Sequence, residues 1–109
     1  MYTHHAVFVA ALHARQKVSL TFLSQEDGGH LVRTCAPMDF GPSRRAKDGI
    51  DRYHFWDYDS DKRAHTLSLK PEQIVMIEQL GDAFDPAEFV TWDIARSPWF
   101  LPRDWARFS

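Results

Sequence analysis

A cluster of basic residues precedes an aromatic segment near the middle of the chain. The basic residues are Arg44, Arg45, Lys47 and Arg52, and the aromatic residues that follow are Tyr53 and Trp56. Cations bind phosphates and rings stack on nucleobases, so this combination is typical of sites for nucleotides or single-stranded nucleic acid. Asp48 and Asp51 offset part of the charge. The segment is therefore either a solvated mobile loop or part of a ligand site.

Two histidines, His54 and His65, flank a short polar segment between two β-type runs. If the two runs pair as a hairpin, these side chains can approach each other or Trp56. They would then form a ligand-binding pair or a proton-sensitive switch. The alternative is a pair of hydrogen-bonded structural histidines. The strand register decides, because a shift of one residue turns every side chain to the other face of the sheet.

A string of alternating aspartates, Asp57, Asp59 and Asp61, resembles the opening of a calcium-binding EF-hand loop. Such a loop also needs glycine at its sixth position and glutamate at its twelfth. Lys62 and Ser68 occupy those positions here. We therefore expect acidic turn residues that accept hydrogen bonds from backbone N–H groups, and no metal.

No enzyme signature is present in the sequence. It lacks the Gly-x-Ser-x-Gly elbow of hydrolases and the glycine-rich loops that bind phosphates. Cys35 lies in a predicted strand, where a buried and inert thiol is expected. His4, His5 and His13 are too scattered to indicate a zinc site with it. We expect binding without catalysis and without a cofactor.

The composition indicates one globular domain over residues 1–109, with 44% hydrophobic residues. The formal net charge of −2 argues against broad electrostatic binding of nucleic acid and is compatible with a local basic patch. A single cysteine excludes an intramolecular disulfide, which favours a cytoplasmic location. No signal peptide is evident, and no run approaches the roughly 18 apolar residues that a membrane helix needs.

The hydrophobic pattern predicts a helix over residues 3–16, with Thr3 as N-cap and a buried stripe at Val7 and Ala11. A turn is expected over 25–29, another at Ser60-Asp61, and one helical turn over 71–73. Alternation predicts five strands, at 17–24, 30–40, 52–59, 62–69 and 74–80. The fold class is therefore mainly β (α+β), a small five-stranded antiparallel barrel, since closure removes exposed strand edges.

The C-terminal part, residues 85–109, is predicted to hold a short helix and an aromatic tail. Asp85 at the N-cap, Pro86 at the first helical position and Glu88 at the third indicate a helix start, and the helix is expected to end near 92–95. The tail that follows either wraps the barrel and covers an open edge or forms a dimer interface. Its aromatic residues are Trp92, Trp99, Phe100, Trp105 and Phe108.

Several segments resemble, in order and spacing, the WYL domain, a bacterial Sm-like/SH3-like barrel named for a Trp-Tyr-Leu tripeptide. Tyr53, His54 and Phe55 stand at the tripeptide, and Tyr58-Asp59 matches the Tyr-Asp pair that follows it. The segments are KVSLTF (17–22), RTCAPMDF (33–40), YHFWDYDS (53–60), HTLSL (65–69), QIVMIEQL (73–80) and FDP (84–86).

The resemblance implies a regulatory, ligand-sensing module that works with a transcriptional or defence partner. Ser68 and Gln73 stand where the family has arginines that help to bind a negatively charged ligand. The candidate ligand-binding set is Arg44, Arg45, Arg52, Tyr53, His54, Trp56, His65, Ser68 and Gln73. The alternative from another functional class is a protein–protein adaptor or homodimer that uses the barrel edge and the aromatic tail.

Overall fold

The computed structural model describes residues 2–24, 28–59 and 65–109. One α-helix (α1, His5–Ala14) precedes the strands β1 (Gln16–Ser24), β2 (Gly29–Pro42), β3 (Asp51–Asp57), β4 (His65–Leu69) and β5 (Ile74–Ala83). Short 3-10 turns lie at Pro71–Gln73, Pro86–Glu88 and Ala106–Phe108. In these described ranges, no helix is both long and apolar enough to cross a membrane.

The five strands form one antiparallel sheet in the order β4-β3-β2-β1-β5. The long strand β2 pairs with β1 through residues 29–35 and with β3 through residues 35–42, so it belongs to both halves of the sheet. The turn at Pro71–Gln73 joins the two end strands, β4 and β5, and contacts both β1 and β3. This arrangement confirms the predicted mainly-β, five-stranded fold.

The β3–β4 hairpin has the predicted partners. Tyr53 pairs with Leu69 and Asp57 pairs with His65. The predicted turn at Ser60-Asp61 and the first residues of the predicted fourth strand, 62–64, lie outside the described residues. So do residues 25–27 of the turn between the first two strands.

A β-bulge interrupts the pairing of β2 with β3 at Met38. Pro37 pairs with Phe55, but Asp39 pairs with His54, so Met38 is an extra residue on β2. A one-residue shift exchanges the two faces of a strand. Pro37 therefore faces the core with Phe55, whereas Asp39 lies with His54 on the outer face, away from α1.

The helix α1 packs on the inner face of the sheet through Phe8, Ala11 and Leu12, which are fully buried. The ring of Phe8 lies 4.8 Å from that of Tyr53, centroid to centroid. The helix exists as predicted but is shorter than the predicted 3–16, and its buried stripe is displaced from Val7, which is half-buried. It ends at Ala14 because Arg15 adopts the left-handed conformation that closes helices (φ 54°).

The predicted C-terminal helix starts as expected but extends for a single 3-10 turn, Pro86–Glu88. The side chain of Asp85 accepts a hydrogen bond from the Ala87 N–H (3.0 Å), and the Glu88 carboxylate accepts one from the Asp85 N–H (3.1 Å). The predicted extent to 92–95 is wrong. Phe89 and Val90 are both buried in the core, and consecutive helical residues point about 100° apart, so core packing overrides the cap.

The aromatic tail folds back on its own sheet and helix. Trp105 is fully buried, and its Nε1 donates a hydrogen bond to the Leu12 carbonyl oxygen (2.9 Å). Its ring contacts Phe84 and Phe89 edge-on. Much of the tail's aromatic surface therefore belongs to the core of the chain.

Tyr53 makes stability sensitive to alkaline pH. Its hydroxyl lies 2.9 Å from Nδ1 of His5, and burial raises the pKa of Tyr53 from 10 to about 12. Because the pKa of Tyr53 is higher in the folded protein than in the unfolded one, its neutral hydroxyl stabilises the fold fully below pH 10. This contribution to stability is lost as the pH rises through 12. We expect the urea-derived free energy of unfolding to fall across this window and Tyr53→Phe to flatten the fall.

Tyr2→Phe is the matched control, because Tyr2 is 52% exposed. This variant should keep the wild-type pH profile. Burial also raises the pKa of Tyr58 and Cys35, so Tyr53→Phe flattens the profile without abolishing its slope. A Tyr53→Phe profile as steep as that of the wild type would contradict the assignment.

Candidate functional site

An open cleft of about 770 Å³ lies on the outer face of the sheet. Its floor is formed by β2, β3 and β4, one wall by the loop after β2, and the other wall by the C-terminal tail. The floor residues are Met38, Asp39, Pro42, Arg52, His54, Thr66 and Ser68, the loop residues are 43–46, and the tail residues are Trp92 and 97–100.

The loop wall presents two exposed arginines, Arg44 and Arg45. The turn is held by Ser43, whose hydroxyl accepts a hydrogen bond from the Ala46 N–H (3.2 Å). Nη2 of Arg44 donates to the carbonyl oxygen of Pro98 (3.2 Å), which ties the loop to the tail. Arg45 makes no hydrogen bond or ion pair within the described part of the chain. Its charge is available to a ligand.

Arg52 lines the cleft as one half of an ion pair. Its two terminal nitrogens each lie 2.9 Å from an oxygen of Asp48, a bidentate geometry. These hydrogen bonds, with one from the Ile50 N–H, hold the pKa of Asp48 well below its ordinary value. Arg52 therefore adds shape and donor groups to the cleft without adding net charge.

His54 is fixed in the floor through both ring nitrogens. Its Nε2 donates to the carbonyl oxygen of Gly41 (2.9 Å), and its Nδ1 lies 2.7 Å from the hydroxyl of Ser68, its partner in the β3–β4 register. Because a carbonyl group can only accept, Nε2 carries the proton. The register places His65 opposite Asp57, so the two histidines do not pair. His54 is therefore held as a hydrogen-bonded structural histidine, which is the alternative to a ligand-binding pair that the sequence left open.

The tail wall is held by Asp39, which the Met38 bulge turns outward. One carboxylate oxygen accepts the N–H of Phe100, and the other accepts the N–H of Leu101, each at 3.0 Å. The second oxygen also lies 3.2 Å from Nη2 of Arg103. Asp39 is 8% exposed, so these contacts are largely shielded from water.

Arg103 completes the anchor from the other side. Its guanidinium lies over the rings of both Trp99 and Trp105, at 4.0 and 4.4 Å from the centroids. It also donates to the carbonyl oxygens of Met38 and Leu101. Burial lowers the pKa of Arg103 to about 10, against the effect of Asp39. It therefore remains a cation at neutral pH.

The structure brings five of the nine predicted site residues together in this cleft, namely Arg44, Arg45, Arg52, His54 and Ser68. Tyr53 does not line it, because strand alternation turns Tyr53 to the inner face beneath α1. Trp56 shares the outer face with His54, but its ring stacks on Phe89 further along the strand.

The other two predicted residues also lie outside the cleft. His65 is at the far end of the hairpin, opposite Asp57. Gln73 holds the turn before β5, where its side chain accepts from the Lys70 N–H (3.0 Å) and donates to the Leu23 carbonyl oxygen (3.4 Å).

The sequence interpretation missed the residues that form the tail wall. Asp39 carries a weak signal, since it is an acidic residue within the otherwise apolar run of RTCAPMDF. Phe100 and Trp92 were assigned to an edge cover or a dimer interface, and Arg103 was not considered. The contact between Asp39 and Arg103 spans 64 positions, so no local pattern reveals it.

The acidic string and the cysteine have structural roles in the described residues. Asp57 accepts from the Asp59 N–H (2.9 Å), and Asp59 accepts from the Thr34 N–H (2.6 Å), as predicted for acidic turn residues. Asp61 and Lys62 lie outside the described residues. Cys35 is buried, and burial raises the pKa of its thiol.

No family model matches the sequence, and no curated protein sequence matches it. Among solved structures, the chain is similar to proteasome accessory factor B/C (PafBC) of Arthrobacter aurescens, with a TM-score of 0.58 and 13% sequence identity. The match covers 90% of this chain and 13% of that chain. PafBC is a WYL-domain-containing regulator. At this identity the likeness shows a shared fold over a small part of a longer protein.

Replacement of Asp39 by asparagine should release the tail wall. The amide NH2 would face backbone N–H donors, and the buried Arg103 would lose its counter-charge. Breaking a buried pair in this way destabilises a protein by about 3 kcal/mol. We expect Asp39→Asn to lower the urea-derived free energy of unfolding by this amount and to expose the tail to proteolysis.

Asp48→Asn is the matched control, since it makes the same chemical change in the exposed pair with Arg52. Solvent screens that pair, so its free energy of unfolding should stay near the wild-type value. Equal losses in the two variants would show that the Asp39–Arg103 pair is not the anchor.

Proposed function

We propose that this chain is a regulatory binding module whose cleft takes a nucleotide or a short single strand of nucleic acid without turning it over. The observation that carries the proposal is the position of Arg44 and Arg45 on one wall, facing the exposed rings of Phe100 and Trp92 on the other. Cations that face stackable rings suit a ligand that bears both phosphate and base.

The charges of the cleft support an anionic ligand. Arg52 is neutralised by Asp48, and Arg103 by Asp39. Among the residues that line the cleft, Arg44 and Arg45 then remain without an acidic partner. A phosphate monoester carries roughly −1.5 to −2 charges at pH 7, which these two cations would balance.

The size and chemistry of the cleft support the same class of ligand. Its volume of about 770 Å³ lies within the usual range for small-molecule sites, about 300–1,000 Å³. The hydroxyls of Ser68 and Thr66 on the floor suit the polar edges of a sugar or a base. Tyr53 and Trp56 were predicted to supply the stacking surface, and the tail rings take that role in the proposal.

The regulatory part of the proposal rests on the fold. A small part of PafBC, a WYL-domain-containing regulator, shares this fold. A module of this kind would bind its ligand and pass the change to a partner protein in transcription or defence. A bacterial and cytoplasmic setting belongs to the same proposal.

Replacement of Arg45 tests the cation wall, because its guanidinium is exposed and has no partner in the described structure. A lost hydrogen bond between charged groups should weaken binding roughly tenfold. We expect labelled short oligonucleotides and nucleoside monophosphates to bind Arg45→Ala about tenfold more weakly than the wild type in low-salt titrations. Binding to the wild type should weaken as salt is added.

The matched control is Arg107→Ala, which removes one exposed arginine away from the cleft. It should bind these probes like the wild type. If no probe binds the wild type at low salt, or if the two variants bind equally, the proposed site is wrong.

A second candidate function, a homodimeric adaptor, is favoured by one observation. Val32 and Met76 are 64% and 52% exposed. Both pair with Thr21 on the outer face of the sheet, so the three side chains form a row across three strands in which two apolar residues flank a threonine. Exposed apolar patches mark interaction surfaces. This face supports an adaptor better than the tail does, because Trp105 is buried within the chain.

The adaptor proposal expects a dimer in native mass spectrometry, with Val32→Asp shifting the population to monomer. Ile50→Asp is the matched control, because Ile50 is 42% exposed and lies outside this row. A wild-type spectrum that contains one chain per particle at micromolar concentration would rule out the homodimer.

A further inference from the structure

We infer that Phe100 is the platform on which the ligand's base stacks, so that the C-terminal tail is part of the binding site and the recognised unit is a base joined to a phosphate. This inference rests on the proposed function and names the residue that contacts the base of the ligand. Three features distinguish Phe100 from the other aromatic residues of the chain: the anchoring of its backbone, the exposure of its ring and the residues around it.

The backbone of Phe100 is fixed in place. Its N–H donates to the carboxylate of Asp39, and the next N–H, that of Leu101, donates to the same side chain. Asp39 is in turn held by the buried Arg103. Two successive backbone groups are therefore tied to one strand of the sheet, and the ring cannot move away with the tail.

The ring itself lies directly on β2 at Gly41. A Cβ atom built on Gly41 would lie 2.4 Å from Cδ2 of Phe100, well inside van der Waals contact. The absence of a side chain at this position is what lets the ring pack against the strand. The Gly41 carbonyl oxygen also accepts the hydrogen bond from His54, which joins the platform to the floor of the cleft.

Although its position is fixed, Phe100 remains 49% exposed. A large ring that is anchored and left half open to solvent loses little conformational freedom when a ligand packs on it. The rings of Trp99 and Trp105, in contrast, are both covered by the guanidinium of Arg103. Trp92 is 36% exposed and its Nε1 donates to the Ser97 carbonyl oxygen (3.1 Å), so it is anchored within the tail itself. Phe100 is the more exposed of the two rings, and its backbone is tied to the sheet.

The cation over the ring defines the ligand class. The guanidinium carbon of Arg44 lies over the ring of Phe100, 5.8 Å from its centroid, and Arg44 also donates to the carbonyl oxygen of Pro98, two residues earlier. A base that stacks on Phe100 would take the place of this cation–π contact and leave the guanidinium to bind the phosphate. A ligand with only a ring would contact Phe100 alone, and a ligand with only a phosphate would contact Arg44 alone.

The test compares probes that differ only in the base. Adenosine 5′-monophosphate is paired with ribose 5-phosphate, and a short adenine oligonucleotide is paired with the same backbone carrying abasic sites. The variants are Phe100→Leu, which keeps an apolar side chain without a ring, and Phe100→Tyr, which restores the ring. Trp92→Leu removes the other exposed ring of the cleft.

In the wild type and in Phe100→Tyr, the base-bearing probe of each pair should bind more tightly than its partner. Loss of one stacking contact weakens binding roughly five- to hundredfold. Phe100→Leu should lose affinity for the base-bearing probes by this factor and bind the base-free probes like the wild type. Near-ultraviolet circular dichroism of each variant shows whether its tertiary packing is preserved.

The outcomes separate this inference from the proposed function. Binding that depends on Arg45 but is unchanged in Phe100→Leu overturns the platform and leaves the cleft as the site. A loss seen in Trp92→Leu in place of Phe100→Leu assigns the platform to Trp92 and overturns the inference. If neither base-bearing probe binds the wild type, the proposed function and the inference fail together.

Discussion

The buried contact between Asp39 and Arg103 is the constraint on which the cleft depends. Each charge is removed from water and would be strongly destabilising alone, so the two must be buried together. Asp39 also accepts the N–H groups of Phe100 and Leu101. Arg103 lies over the rings of Trp99 and Trp105, which also contact each other edge-on. The Asp39–Arg103 contact therefore determines where the tail runs, how Trp99 and Trp105 pack, and where the tail wall of the cleft lies.

The cleft is assembled from parts that are far apart in the sequence. The sheet supplies a rigid floor, the loop after β2 supplies cations, and the tail supplies rings. Arg44 is hydrogen-bonded to Pro98, so the loop and the tail are in direct contact. A ligand that touched both walls would favour the docked tail. By thermodynamic linkage, the docked tail would favour the ligand to the same degree.

Local patterns in the sequence predicted most of the sheet. Alternation identified the five strands, and turn chemistry placed the β3–β4 hairpin with Tyr53 to Asp57 paired as expected. The capping box at Asp85 was also correct, but burial of Phe89 and Val90 ended the helix after one turn. Arg44, Arg45 and Arg52, predicted from their charge, all line the cleft. Tyr53 and Trp56 do not line it, because alternation turns Tyr53 inward and the ring of Trp56 stacks on Phe89. The tail rings that do line it could not be placed from local patterns, because the tail contacts β2 through residues more than 60 positions away.

The extra residue at Met38 has a consequence for how relatives of this chain can be recognised. Pro37 and Asp39 are two positions apart but face opposite sides of the sheet, because Met38 is an extra residue on β2. Simple alternation counted from Pro37 would assign Asp39 to the apolar core. In a relative without the extra residue, the aspartate would directly follow the core-facing proline and would still lie opposite His54. An aspartate one or two positions after that proline, together with a later arginine that packs against two tryptophans, is therefore a better marker of this cleft than overall sequence identity.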